Sequence, residues 1–224
     1  MNIEEKNLCS LCFKESATDV CDECMASKPM PGSMRSGTIL NGKYMVGKVL
    51  GKGGFGITYM GYDLIEKRRV AIKEFFPSGI VYRNTQQTQV SISDGDEKNV
   101  FHNGIDKFIS EAKMLNSLSA HPNITNIYEC FLENNTAYYV MEYLEGDDLK
   151  RYYEKNGTIS EYDALSIMRD VCNALDFVHK NNIYHRDISP DNIFLLSDGS
   201  VKLFDFGAAR RRKEGESIKL SVIL

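Results

Sequence analysis

Three polar side chains at fixed offsets carry the most legible chemistry in this chain. They are Asp187, Asn192 and Asp205, within HRDISPDNIFLLSDGSVKLFDFG at residues 185–207. Two short apolar runs, Ile193–Leu196 and Val201–Phe204, lie between Asn192 and Asp205, split by Ser197-Asp198-Gly199. That pattern predicts a small hairpin. One Asp precedes the hairpin and another follows it, so folding should bring Asp187, Asn192 and Asp205 to one end. An Asp and an Asn offer oxygen ligands to a hard cation, and the other Asp can orient a hydroxyl. The set suits phosphoryl transfer, provided a phosphate-binding loop lies elsewhere.

Residues 43–62, KYMVGKVLGKGGFGITYMGY, supply such a loop. Gly51, Gly53 and Gly56 give G-x-G-x-x-G, flanked by apolar and β-branched residues. Glycine lets backbone N–H groups approach a phosphate closely. The same motif opens dinucleotide-binding helices, but here Ile57-Thr58-Tyr59 continues as strand, so a hairpin is expected. Val70-Ala71-Ile72-Lys73 reads as the next strand, with Lys73 able to reach phosphates. In IDKFISEAKMLNSL, from about Ile105, the apolar stripe is Ile105, Phe108, Ile109, Ala112, Leu115 and Leu118. Glu111 lies beside that stripe, where it could pair with Lys73.

A second constellation sits at the N-terminus. Cys9-x-x-Cys12 and Cys21-x-x-Cys24 form two knuckles that can complete a tetrahedral S₄ site, which suits structural Zn²⁺. Two disulfides or a redox pair are the alternatives. The other cysteines, Cys130 and Cys172, are expected in the core.

The elements that position these groups follow in order. Residues 25–38 are small, Pro- and Gly-containing, and read as a linker. Residues 77–105 read as an irregular insertion with a short strand at 88–92. Strand runs are expected at Ile124–Phe131 and Ala137–Tyr143, then a polar connection, Glu145-Gly146-Asp147-Asp148. A long helix starts after Ser160, which caps it with Asp163 three residues on. Its predicted core stripe is Ala164, Met168, Val171, Leu175 and Val178. His179 reads as a helix-terminal cap.

Of 224 residues, 27 are Lys or Arg and 31 are Asp or Glu, a net charge of −4. Residues 1–38 hold six acids and four bases. Neither balance favours a nucleic-acid partner. No apolar run reaches the length of a membrane span, and the acidic, polar N-terminus is not a secretory signal, so the cytoplasm is the expected location.

The ordered set GKGGFGITY, VAIKEFFP, Glu111, HRDISPDNI and DFG resembles the eukaryotic-type serine/threonine protein kinases, most closely their bacterial branch. Residues 1–26 resemble a short zinc ribbon, although Phe13-Lys14 stands where a Gly commonly follows the second Cys. The resemblance implies an α+β, bilobal fold behind the ribbon (1–26) and linker (27–38). The kinase domain would be 39–224, with a five-stranded antiparallel small lobe plus helix (about 39–143) and a partial helical large lobe (144–224). It implies that Gly51, Lys52, Gly53, Gly54, Phe55 and Gly56 cover the phosphates of ATP, and that Ala71, Met141, Glu142, Leu144 and Asp148 line the nucleoside site. Lys73, pinned by Glu111, would contact the α/β-phosphates. Asp187 would accept the hydroxyl proton, and Asn192 and Asp205 would hold Mg²⁺. Leu115, His185 and Phe206 would stack in an internal spine. The implied substrate is a protein bearing Ser or Thr, and the ribbon would offer a surface to a protein partner.

Three departures stand out. Ser189 replaces the Lys usual two residues after the catalytic Asp. Thr58 replaces a Val above the adenine. The Ala-Pro-Glu anchor and the later helices have no counterpart before Leu224, which predicts uncovered apolar surface on the large lobe. An ATP-binding scaffold without catalysis is therefore the alternative. Ser217 and Ser221 are candidate phosphosites, with Arg186 as pairing cation.

Overall fold

A computed structural model describes residues 8–84, 87–93, 95 and 97–211. Ser217, Ser221 and the last apolar residues lie outside the described residues. Two compact units result, one reaching to Ser117 and adding Asn126–Leu144, the other made of Leu118–Thr125 and the chain from Glu145.

The first unit contains α1 (Asp22–Met25), β1 (Ile39–Leu40), β2 (Tyr44–Lys52), β3 (Gly56–Asp63), β4 (Arg68–Phe75), β5 (Val81–Tyr82), β6 (Ser91–Ile92), α2 (Glu97–Asn116), β7 (Ile127–Glu133) and β8 (Thr136–Glu142). Its main sheet runs β1-β2-β3-β4-β8-β7, every pairing antiparallel. The five expected strands are present, and Ile39–Leu40 adds a sixth at one edge. β4 and β8 are interior strands, and their runs VAI and AYYV are fully or almost fully buried, as strands covered on both faces must be.

Helix α2 starts eight residues before the expected Ile105 and runs straight through Gly104. Glycine costs about 1 kcal/mol relative to Ala inside a helix, which is why it reads as a break. Here a Cβ at 104 would lie 2.4 Å from the Phe75 ring. The missing side chain seats Phe75, which packs on Phe101 and Phe108 at 5.5 and 5.6 Å between ring centroids. The remainder of the insertion forms the β5–β6 pair.

A buried charge network fastens that insertion. Glu74 and Arg83 are an ion pair with side chains 0% and 1% exposed. Glu74 also accepts from the Tyr59 and Tyr138 hydroxyls, each at 2.7 Å. Arg83 donates onward to the Gly32 and Thr88 carbonyls, both at 2.8 Å. Burial and the adjacent carboxylate push both tyrosines well above the usual phenol range.

The second unit contains β9 (Gly146–Asp148), α3 (Leu149–Asn156), α4 (Glu161–Lys180), β10 (Ile183–Tyr184), a 3₁₀ turn (Pro190–Asn192), β11 (Ile193–Leu196), β12 (Val201–Leu203) and β13 (Arg210–Arg211). The expected hairpin is β11–β12, with Leu195 opposite Val201. The polar connection is more ordered than its composition suggested. Gly146–Asp148 adds a strand to β11, and a Cβ on Gly146 would lie 2.1 Å from the Leu195 carbonyl oxygen. Asp148 then caps α3 by accepting from the Arg151 N–H at 2.8 Å.

Ser160 caps α4 as expected, accepting from the Asp163 N–H at 3.1 Å. The buried stripe is rotated from the predicted one: Ile167, Val171, Ala174 and Val178 are buried, whereas Met168 is 50% exposed. Cys172 is exposed on the same helix and Cys130 only half-buried, so neither is the core residue expected. His179 packs at a tilt against Tyr184, 5.0 Å between ring centroids.

Arg83→Met should lower the unfolding free energy by about 3–5 kcal/mol in urea titrations, because it strands the Glu74 charge. Adding Glu74→Gln should recover most of that loss; no recovery would show that the pair's electrostatics are not the cause.

Candidate active site

In the first unit, β-sheet register sets the chemistry. Lys73 faces Thr58 on β3 and Tyr139 on β8. Its Nζ lies 3.5 Å from Oε1 of Glu111 on α2, with both side chains largely buried. The Tyr139 hydroxyl donates to the same Oε1 at 3.2 Å, and its ring centroid lies 5.4 Å from the Lys73 Nζ. Tyr139 was missed at the sequence level. Its signal is positional, since it is the residue opposite Lys73.

The glycine turn joins β2 to β3. The Gly53 N–H donates to the Gly56 carbonyl at 2.9 Å, and the Gly54 and Phe55 carbonyls accept from Ser78 and Phe76 at 2.9 and 3.0 Å. Gly56 is needed by the protein itself, since a Cβ would lie 2.5 Å from the Glu74 carbonyl oxygen. A Cβ at Gly51, Gly53 or Gly54 would meet nothing within 4 Å beyond its own chain neighbours. Phe55 projects from the tip, 80% exposed. Lys52 reaches back to the Pro31 carbonyl at 2.9 Å.

Ala71 on β4 sits between Met60 and Met141 in adjacent strands. The Glu142 N–H donates to the Asn126 carbonyl and its carboxylate accepts from the Asn126 N–H, both at 3.0 Å. Met141, Glu142 and Leu144 are half-buried.

In the second unit, Asn192 is 7% exposed and donates through Nδ2 to both the carbonyl and Oδ2 of Asp187, each at 2.9 Å. The Phe204 N–H donates to the Asn192 carbonyl at 3.2 Å, which sets Asp205 beside the foot of the hairpin. Asp205 has φ 56° and Arg186 φ 69°, left-handed backbone that non-glycine residues adopt at a cost of about 1–3 kcal/mol. The Asp205 carboxylate accepts from the Gly207 N–H at 3.3 Å. Ser189 opens the 3₁₀ turn, where its carbonyl accepts from the Asn192 N–H at 3.0 Å. Asp148 sits on β9, its carboxylate occupied by the α3 cap and by Arg151.

His185 is 1% exposed and packs edge-on to Phe206 at 4.5 Å. One ring nitrogen faces the Phe204 carbonyl at 3.2 Å, and Nδ1 accepts from the Asp187 N–H at 3.3 Å. Burial lowers its pKa below the usual 6.5. Leu115, the third expected spine residue, is buried in the first unit.

The four N-terminal cysteines also converge. Their sulfur atoms all lie within 4.8 Å of one another, and Cys12 Sγ is 3.7 Å from Cys21 Sγ. A tetrahedral S₄ site needs edges of about 3.8 Å for sulfurs about 2.3 Å from the ion, so the donor set fits Zn²⁺. Burial raises the Cys9 thiol, but N–H groups of Cys21, Leu11 and Cys12 outweigh it and lower its pKa to about 6. Phe13 adopts φ 56° where a knuckle commonly has Gly, and its ring packs on Tyr62 at 5.4 Å.

The family model for the protein kinase domain matches residues 44–223. The chain belongs to the protein kinase family. Serine/threonine-protein kinase PrkC of Bacillus subtilis is 37% identical over 176 residues, covering 79% of this chain and 24% of that protein. The probable serine/threonine-protein kinase PknB of Lactococcus lactis is 31% identical over 179 residues, covering 80% of this chain and 25% of that protein. Among solved structures, PpkA-294 in its apo form matches with a TM-score of 0.74 at 31% identity, covering 79% of this chain and 62% of that one. This kinase chain thus spans about a quarter of the length of those two curated relatives. The family implies ATP, Mg²⁺ and a protein substrate. No helix among the described residues is long and apolar enough to cross a membrane.

The kinase's stability should depend on His185. Its lowered pKa means that the unfolded state takes up the proton first as pH falls. The stabilisation is complete above pH 6.5, the unfolded value, and is lost progressively below it. His121, also lowered chiefly by burial, adds to the same slope. Urea midpoints should therefore drop between pH 7.5 and 5.5, and His185→Gln should flatten part of that drop. An unchanged slope would remove His185 from the account.

Proposed function

We propose that this chain is a serine/threonine kinase that transfers the γ-phosphoryl group of ATP to a protein hydroxyl. The observation that carries the reading is the Lys73–Glu111 pair, held at 3.5 Å between the central strand and α2. Lys73 binds the α/β-phosphates, and Glu111 with Tyr139 keeps its ammonium in place. The open face over Gly51, Gly53 and Gly54 supports a backbone cradle for phosphate, since the protein's own packing does not require glycine there.

Ala71, Met141, Glu142 and Leu144 form the adenine seat. The Glu142 N–H is committed to Asn126, so recognition there falls to carbonyls and to Leu144. Asp187, oriented by the Asn192 amide, accepts the proton of the attacking hydroxyl. That oxygen bonds to the γ-phosphorus as the bridging oxygen leaves with ADP. Asn192 and Asp205 would hold Mg²⁺, which when bound neutralises phosphate charge. Asp148, used as a helix cap, serves the ribose only through what its cap leaves accessible.

Cys9, Cys12, Cys21 and Cys24 would hold a structural Zn²⁺. Thiols kept for a metal favour a reducing compartment, in keeping with a cytoplasmic domain. Ser189 favours a second reading, a nucleotide-binding scaffold, because a cation expected at the γ-phosphate is missing from that position.

Incubation with Mg²⁺ and γ-labelled ATP separates the two. Label should appear on the chain or on a generic basic protein substrate, and Asp187→Asn should reduce it about 10²–10⁴-fold. Ser189→Lys should raise the rate by about tenfold or more if the missing cation limits transfer. Nucleotide binding with no label above the Asp187→Asn background would leave only the scaffold.

A further inference from the structure

The ribbon does not hang free of the nucleotide-binding unit; it is built into β2. The β2–β3 ladder slips register between Val46 and Val49. The residues inside the slip, Gly47 and Lys48, bond elsewhere. The Lys48 N–H donates to the Leu11 carbonyl at 2.8 Å, and Leu11 lies between the ligand positions Cys9 and Cys12. The Lys48 Nζ donates to Cys24 Sγ at 3.4 Å. A Cβ on Gly47 would lie 2.4 Å from the Leu11 carbonyl oxygen, so this close approach is available only to glycine. From the other side, Ser36 Oγ donates to the Gly47 carbonyl at 3.1 Å.

A second contact is independent of that slip. The buried cluster of Cys9, Cys12, Phe13, Cys24 and Met60 takes in Leu50 and Tyr143 at its margin. Leu50 immediately precedes the first glycine of the turn. Tyr143 lies between Glu142 and Leu144, in the segment assigned to adenine. The apolar cluster that the ribbon knuckle shares with Met60 of β3 therefore also takes in one residue from each of the two segments that bracket the proposed nucleotide seat.

We propose that metal occupancy of the Cys9–Cys12–Cys21–Cys24 site sets the affinity of this unit for Mg·ATP. With the metal held, the knuckle fixes the slip in β2 and seats Leu50 and Tyr143. Without it, four thiols within 4.8 Å lose the ion that justifies their spacing. The Leu11 carbonyl is then no longer held against Lys48, and the strand feeding Gly51 loses its anchor. Two sites and two states, ribbon seated and ribbon released, define a coupling in the thermodynamic sense. The inference rests on the nucleotide and metal readings above.

The test uses the full 224-residue chain and calorimetric titration with Mg·ATP. Metal content is measured on the same samples. Zinc-loaded protein is titrated, stripped by a chelator, desalted into Mg²⁺ and titrated again. The Kd should rise about tenfold on stripping and return when Zn²⁺ is restored, a coupling of ordinary size. Amide exchange in 44–52 and 141–144 should accelerate in the stripped form. Lys48→Met and Gly47→Val should keep about one zinc per chain by the S₄ stoichiometry yet lose part of the affinity; these arms decide the matter if stripping unfolds the chain. Equal Kd values for loaded and stripped protein, or for those variants and wild type, would overturn the coupling. Loaded protein that never binds Mg·ATP would instead overturn the nucleotide reading, and protein that takes up no zinc would overturn the metal reading; either removes the proposal with it.

Discussion

β4 must bury two opposite charges on its two faces, and much of the first unit is arranged around that demand. Lys73 and Glu74 are consecutive, so the period-2 geometry of a strand sends them in opposite directions. Each needs a partner, because an unpaired buried charge costs several kcal/mol. Lys73 finds Glu111 on α2, with Tyr139 completing that face. Glu74 finds Arg83 from the insertion, with Tyr59 and Tyr138 from the two flanking strands. The two tyrosines Tyr138 and Tyr139 repeat the same alternation one strand away. A one-residue slip of β4 against β8 would exchange the faces and strand both charges. The register that delivers Lys73 to its helix is therefore locked by a network with no evident part in chemistry.

That division explains what was legible in the sequence. The hairpin β11–β12, the glycine turn and the CxxC pairs declare themselves through local spacing, since turn chemistry and ligand geometry act over a few residues. Lys73 and Glu111 were readable from strand and helix patterns taken together. Arg83 was not, because nothing local distinguishes an Arg in a polar insertion from a solvated one. Only the fold brings it to Glu74. Gly104 misled for a related reason: its cost to the helix is local, while the compensating Phe75 ring comes from another element. Asp148 looked like part of a loop because the strand it ends is completed by β11, 46 positions later in the β9–β11 register. In α4, helical periodicity was right and Val171 and Val178 are shared, but the phase was rotated so that Ile167 and Ala174 are buried in place of Met168 and Leu175; phase is set by what packs against the helix.

The N-terminal segment shows the same interplay at smaller scale. Phe13 adopts a backbone conformation that a glycine would take without strain. Glycine there would give up the ring that packs on Tyr62 and closes the cluster over the thiols. Local strain is thus offset by tertiary contact, which a search for the usual knuckle pattern cannot register. Gly47 is the complement. Its absent side chain makes room for the knuckle carbonyl, so one residue departs from glycine and another must be glycine for the same seat.

In the second unit, strain and constraint meet at the chemistry. Arg186 and Asp205 flank Asp187 and Phe206, each with positive φ. Such backbone persists only where surrounding contacts over-determine it. Here His185 supplies them: its ring is fixed between the Phe204 carbonyl and the Asp187 N–H, against the Phe206 ring. One buried imidazole therefore bonds the backbone of both strained segments, the one before the hairpin and the one after it. Its neutrality matters to that task, because a protonated Nδ1 could not accept from Asp187. Asp187 and Asp205, the proton acceptor and cation ligand of the proposed reaction, are positioned by the same ring, which ties that proposed chemistry to the protonation state of a residue outside it.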